Sequence, residues 1–223
     1  VVQIGDVQSS AGLPGPGDLA SIDASPVRCG DLSSVQSMVE AIDAAKKARD
    51  TLGGVVEVIA YDVPTGIGSH VHWDRRLDTA RAAGLMSLQG IKGVEIGDGF
   101  ESATRPGSEA HDEIYPGGVA FERETNRAGG IEGGISNGSI IRVRAAMKPI
   151  STLMRPLATV DVTTGEVSVA FRERSDVCAV PAAGVVAEQM VALALAREMQ
   201  RVYGGDRVEA FVEADAAHRR RLS

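Results

Sequence analysis

Four stretches of this 223-residue chain carry residue types in patterns that could do chemistry. The densest runs Asn126-Arg127-Ala128-Gly129-Gly130-Ile131-Glu132-Gly133-Gly134-Ile135-Ser136-Asn137-Gly138, with five glycines in its last ten positions. Glycine is entropically costly in a folded chain, so a cluster implies tight turns or backbone brought close to a ligand. A plain surface turn needs one or two glycines. Free backbone N–H groups in such a loop suit phosphate and other anions. The spacing is neither a dinucleotide fingerprint nor a P-loop, because no Gly-Lys-Ser/Thr follows.

The second stretch is basic: Arg142, Arg144, Lys148 and Arg155, with Arg172 and Arg174 soon after. A solvated strand face accounts for Arg142 and Arg144 taken alone. The adjoining Met147-Lys148-Pro149-Ile150-Ser151-Thr152 adds a cation, two hydroxyls and a fixed turn, parts that recur where phosphate is bound. The third stretch is Arg174-Ser175-Asp176-Val177-Cys178-Ala179-Val180-Pro181, a loop entering a helix. Asp176 reads either as a cap-like acid at the helix entry or as a general acid/base beside a ligand. Cys178 reads as a small buried hydrophobe. The fourth is Gly107-Ser108-Glu109-Ala110-His111-Asp112-Glu113. A metal centre needs several convergent ligands. His111 and the pair His70 and His72 do not supply a ligand set at helical spacing, so no metal is expected.

These stretches need elements to hold them. Val35, Met38, Val39, Ile42 and Ala45 fall at helical spacing, which predicts a helix over Ser33–Arg49 with Ser33 or Ser34 as its N-cap. Gly53-Gly54 then releases the β-branched run Val55–Tyr61. A second helix is predicted from about Arg75 to Gln89, and a short strand at Val94–Ile96. Gly97 to about Asn137 reads as mostly loop, too long for an idle connection. Ile141, Val143 and Ala145 alternate with Arg142, Arg144 and Ala146, the pattern of a half-buried strand. Leu157–Val162 and Val167–Phe171 read as a hairpin. A long helix starts at Pro181 and stops at Gly204-Gly205. It is apolar nearly all round from Val180 to Leu195, so full burial is expected. A final helix covers about Arg207–Arg220. Strands and helices mix without a βαβ rhythm, which indicates an α+β chain.

Composition narrows the function classes. The chain is 43% hydrophobic and 24% charged, close to the globular average, which excludes disorder and fibrous repeats. A net charge of −7 argues against a nucleic-acid binder, whose affinity comes from neutralising phosphates. No uncharged apolar run approaches the ~18 residues of a membrane span, so no membrane partner is expected. Two cysteines are too few for a disulfide framework, and a reducing, cytoplasmic setting is the default. The chain opens Val1-Val2-Gln3-Ile4, which reads as strand interior, so a processed or partial chain is expected. A sheet beginning there should lack strand partners and expose an edge.

Taken together and in order, several blocks resemble chorismate synthase. They are Gly93–Phe100, Gly107-Ser108 with His111-Asp112, Thr125–Gly138, Arg144–Thr152 and Asp176–Pro181. The match runs from about Asp50 to Leu195 and more loosely beyond. The resemblance implies a β-α-β sandwich of the chorismate synthase type, incomplete here, with residues 1–223 forming the C-terminal portion of a single domain. It implies a 1,4-anti elimination of phosphate from 5-enolpyruvylshikimate 3-phosphate to give chorismate, with reduced FMN required, in a homotetramer. The family's flavin-contacting positions fall on Gln89, Gly90, Gly133, Lys148, Pro149, Ile150, Ser151, Thr152 and Arg174. Asp176 matches an acid that assists proton handling at the flavin. The family's Gly-Glu-Ser-His-Gly and Arg-Pro-Gly-His blocks, whose histidines act as acids, do not occur in these 223 residues. Ser175 and Val177 also flank Asp176 where many family chains read His-Asp-Pro. The isolated chain is therefore expected to lack turnover, with a non-catalytic flavin- or anion-binding fragment as the alternative.

Overall fold

The computed structural model describes residues 1–117 and 121–222, so positions 118–120 of the expected Gly97–Asn137 loop lie outside the described residues. The elements run β1 (Gln3–Ile4), β2 (Val7–Gln8), α1 (Leu19–Ala24), α2 (Leu32–Ala48), β3 (Gly54–Ala60), α3 (Leu77–Met86), β4 (Ile91–Ile96), α4 (Gly107–Ala110), β5 (Ile114–Pro116) and β6 (Phe121–Arg123). There follow β7 (Ile131–Glu132), β8 (Ile135–Ser136), β9 (Ile141–Met147), β10 (Ala158–Val160), β11 (Val167–Val169), α5 (Val180–Tyr203) and α6 (Val208–Leu222). The largest sheet has the order β2-β1-β3-β9-β4, and three two-stranded ribbons accompany it. The architecture is α+β, as the sequence pattern indicated.

The chain divides into two compact units: 1–56, 90–92 and 146–185 form the first, and 57–89, 93–145 and 186–223 the second. In the first, β1 is antiparallel to both β2 and β3. The edge expected at Val1 is therefore not β1. The chain turns back at Gly5 (φ +58°), and the two-residue β2 takes that position. α2 is capped by Asp31, not by Ser33 or Ser34. The Asp31 carboxylate accepts from the Ser33 backbone N–H and both serine hydroxyls, and from Ser10 N–H. These donors, the hydroxyls of Ser33 and Ser34 foremost, hold its pKa well below the usual carboxylate range. A carboxylate can take several donors at once, so it outcompetes a hydroxyl for the cap. Ile4, Val27, Cys29, Met38, Val56 and Ile91 form this unit's core.

The second unit buries Val58, Ile67, Leu77, Leu85, Ile141, Val143, Ala145 and Val191. The alternation read in β9 is real: Ile141, Val143 and Ala145 are at most 1% exposed, and Arg142 and Arg144 face the other way. Each fully buried aliphatic side chain contributes about 1.5–3 kcal/mol.

Two apolar surfaces are bare. α5 has the expected limits, but full burial is not observed: Val185, Val186 and Leu193 are 44%, 47% and 64% exposed. Sequence pattern shows that a helix face is apolar, but burial needs something to cover it. By length and composition alone, α5 is apolar enough to cross a bilayer. The β10–β11 ribbon pairs Ala158 with Val169 and Val160 with Val167, so these four share one face, and every one is exposed.

Candidate functional site

The first unit stitches together three segments distant in sequence. Thr51 Oγ1 donates to the Ile150 carbonyl at 2.7 Å. Lys148 N–H donates to the Gly90 carbonyl at 2.9 Å, and Ser175 Oγ to the Thr152 carbonyl at 2.7 Å. Leu52 N–H donates to the Val177 carbonyl at 2.8 Å, beside a parallel bridge from Leu52 to Cys178. Close approach demands glycine here: a Cβ on Gly53 would lie 2.3 Å from the Met147 carbonyl oxygen. Of the expected site residues, Gly90, Lys148, Pro149, Ile150, Ser151, Thr152, Arg174 and Asp176 thus share one loop cluster. Gln89 directly precedes Gly90 and is exposed.

Lys148, Arg155, Arg174 and Asp176 are exposed in this cluster, and their side chains have no hydrogen-bond or ion-pair partner among the described residues. The backbone around Asp176 is pinned on both sides, through Ser175 and Val177, while its carboxylate is free. α5 starts at Val180, four positions on, so Asp176 does not cap it. Cys178 is half-buried, not fully buried as expected, and that burial pushes its thiol pKa up.

The second unit holds the other candidates, and two expectations change there. Arg142 and Arg144 were grouped with the phosphate-type cations. The structure instead ties them to acids. Arg142 bonds Asp98, which also takes Arg105. Arg144 lies 3.4 Å from Glu95, and both arginines lie within 3.9 Å of Glu57. Burial acts against the Asp98 carboxylate, but the hydrogen bonds from Arg105 and Arg142 outweigh it and lower the pKa. Burial wins at Glu57, whose pKa is raised although Arg142 and Arg144 oppose the shift.

The glycine loop was expected to offer N–H groups to an anion. Two N–H groups just ahead of the glycines already hold an internal anion: Asp112 accepts from Arg127 N–H (2.8 Å) and Ala128 N–H (2.9 Å), and from Thr125 Oγ1. Burial raises the Asp112 pKa, but these three bonds together lower it below the usual range. Asp112 is 8% exposed and positions the turn at Arg127 and Ala128, a role its sequence block does not announce. Its signal was an acid a short way ahead of a glycine-rich turn. Gly133 is exposed on the β7–β8 turn, and a Cβ there would meet nothing within 4 Å. His111 is exposed, and among the described residues no group of three His, Cys, Asp or Glu could hold a metal ion. A cleft of about 490 Å³ in this unit is lined by Asp74, Arg75, Arg197, Glu198, Gln200 and Arg201. None of the expected site residues borders it, and Arg201 is paired with Glu198 at 2.8 Å.

The family profile described as chorismate synthase matches residues 1–200. The chain belongs to the chorismate synthase family. It is 62% identical over 209 residues to a chorismate synthase of Acidothermus cellulolyticus, covering 93% of this chain and 53% of that protein. It is 61% identical over 212 residues to the chorismate synthase of Frankia alni, covering 94% of this chain and 54% of that one. For the Mycobacterium avium chorismate synthase the figures are 63% over 193 residues, 86% and 48%. A solved structure, "Crystal Structure of Chorismate Synthase", superposes with a TM-score of 0.82 at 38% identity. It covers all of this chain and 62% of that one. The chain therefore spans about half the length of the curated chorismate synthases it matches.

Proposed function

We propose that this chain carries the C-terminal part of a chorismate synthase site, the part that holds FMN and the substrate's anionic groups. The reaction is the 1,4-anti elimination of phosphate from 5-enolpyruvylshikimate 3-phosphate, giving chorismate for aromatic amino acid synthesis. The observation that carries this reading is the exposed, unpartnered set of Lys148, Arg155 and Arg174 beside the Ser151 and Thr152 hydroxyls. That donor set has the chemistry of a phosphate site, and family membership supports reduced FMN as a group it receives. Reduced FMN supplies electron density to a reaction with no net redox change. Lys148 and Arg174 bind anionic oxygens and hold them in place, Ser151 and Thr152 donate hydrogen bonds, and Gly90 leaves room for close approach. Asp176, fixed through its neighbours and open at its carboxylate, holds or takes a proton beside the bound flavin. Gln89, next to Gly90 in sequence, contributes a contact of the same kind. On this reading the active enzyme is a cytoplasmic homotetramer. The bare faces of α5 and the β10–β11 ribbon support contacts beyond this chain.

The 223 residues alone bind FMN and do not turn over. An anaerobic assay with 5-enolpyruvylshikimate 3-phosphate and dithionite-reduced FMN tests this. FMN fluorescence quenching without chorismate is the expected result. Robust chorismate formation overturns the inactivity, and no quenching at all overturns the flavin site. The second reading, a non-catalytic anion-binding fragment, rests on the missing Gly-Glu-Ser-His-Gly and Arg-Pro-Gly-His blocks. It predicts phosphate binding without a preference for FMN.

A further inference from the structure

α2 ends in a Schellman motif: Asp50 N–H reaches the Ala45 carbonyl at 2.9 Å and Arg49 N–H the Lys46 carbonyl at 3.1 Å. The residue in the left-handed position is Arg49, at φ 60° and ψ 35°. Glycine is the usual occupant there, because a Cβ is strained in that conformation. The same chain uses glycine after α5, where Gly204 sits at φ +69°. Among the described residues, three non-glycine residues have positive φ: Arg28, Arg49 and Asp62. Arg28 pairs with Asp23 and Asp62 with Arg219, so two of the three side chains have work inside the protein. Arg49 has none: its side chain is exposed and has no partner among the described residues. Lys46 and Lys47 already complement the helix C-terminal dipole, so that role does not require a third cation.

Arg49 is also held in a particular place. Arg155 N–H donates to the Arg49 carbonyl at 3.2 Å, which fixes the backbones of two exposed arginines against each other. Two residues on, Thr51 is tied to Ile150 in the segment Lys148–Thr152.

We propose that Arg49 and Arg155 form a grip for a phosphate monoester beside the Lys148–Thr152 segment, and that this binding role keeps an arginine where the backbone favours glycine. The proposal deepens the reading given above, since both FMN and 5-enolpyruvylshikimate 3-phosphate are phosphate monoesters. Arginine suits the task because its planar fork meets phosphate oxygens in pairs.

The test exploits opposite signs. Arg49→Gly relieves the backbone and should raise Tm by about 1–3 °C, while weakening phosphate-monoester binding about 5- to 10-fold. Arg49→Lys keeps the charge but not the fork, and should fall between wild type and Arg49→Gly in affinity with no gain in Tm. Arg155→Ala should weaken binding by a similar factor without raising Tm. FMN and 5-enolpyruvylshikimate 3-phosphate are titrated separately into the 223-residue chain, and the ligand whose affinity falls identifies the source. If wild type binds neither, the flavin reading fails, and the thermal shift produced by inorganic phosphate is compared between wild type and Arg49→Gly. A smaller shift in the variant upholds the grip. Equal affinities, equal phosphate shifts, or no phosphate shift in either protein overturn it.

Discussion

The chain holds two sets of arginines and lysines that look alike in sequence and are used in opposite ways. On the face of β9 opposite Ile141 and Val143, Arg142 and Arg144 are surrounded by Glu57, Glu95 and Asp98, with Arg105 sharing Asp98. In the loop cluster, Arg49, Lys148, Arg155 and Arg174 meet no carboxylate among the described residues. The first set is half-buried and neutralised from within, so its charges stabilise structure. The second is exposed and unneutralised, so its charges remain open to a ligand. A cation already paired inside the protein is not free to hold a ligand anion. The lesson extends to the N–H groups of Arg127 and Ala128, just ahead of the glycines, which are satisfied by Asp112.

The largest expected effect tests the paired region at its backbone. Gly97 sits at φ +60°, and a Cβ there would lie 2.0 Å from the Arg127 carbonyl oxygen. Gly97→Ala should cost about 4 kcal/mol or more, giving insoluble protein or a lost cooperative melt; a Tm near wild type would break this assignment. Next is Asp98→Ala, which leaves Arg105 and Arg142 without their shared carboxylate. A loss of about 2–3 kcal/mol is expected, read as a lower urea midpoint, with FMN affinity unchanged.

Acid should act on the same region. Asp98 and Asp112 have native pKa values below the unfolded value near 3.8, so the unfolded chain takes up protons first. Their contribution is complete above that value and is lost as pH falls through the depressed native values. Glu57 runs the other way: its raised pKa means its share weakens as pH rises through that raised value. Urea midpoints should therefore fall steeply between pH 4 and 3, about 1 kcal/mol in all, and less steeply in Asp98→Ala. A smaller effect on stability but a clear one on binding is expected from Lys148→Ala: Tm within about 1 °C, FMN affinity down about tenfold, equivalent to 1.4 kcal/mol.

Much of the fold was legible because periodicity reports local geometry. β9, α2, α6 and the β10–β11 ribbon fall where alternation, helical spacing and turn residues put them. Burial of α5 was misjudged because an apolar surface does not name its cover. The segments around Gly90, Lys148 and Asp176 read as separate blocks, and the structure brings them together. The internal wiring was not legible. Glu57 is 85 residues from Arg142, and Asp98 is 44. No local pattern reveals that these acids consume the cations of β9. Arg49 was passed over for a similar reason, since a helix-ending arginine is unremarkable until its φ is known.

The central claim is that the open cations, not the paired ones, take phosphate. Titrating FMN and riboflavin, which differ by that phosphate, into wild type, Lys148→Ala and Arg144→Gln tests it directly. Wild type and Arg144→Gln should both prefer FMN by about tenfold or more, and Lys148→Ala should lose most of that preference. Equal binding of the two flavins by wild type, or a preference lost in Arg144→Gln and kept in Lys148→Ala, would contradict the account.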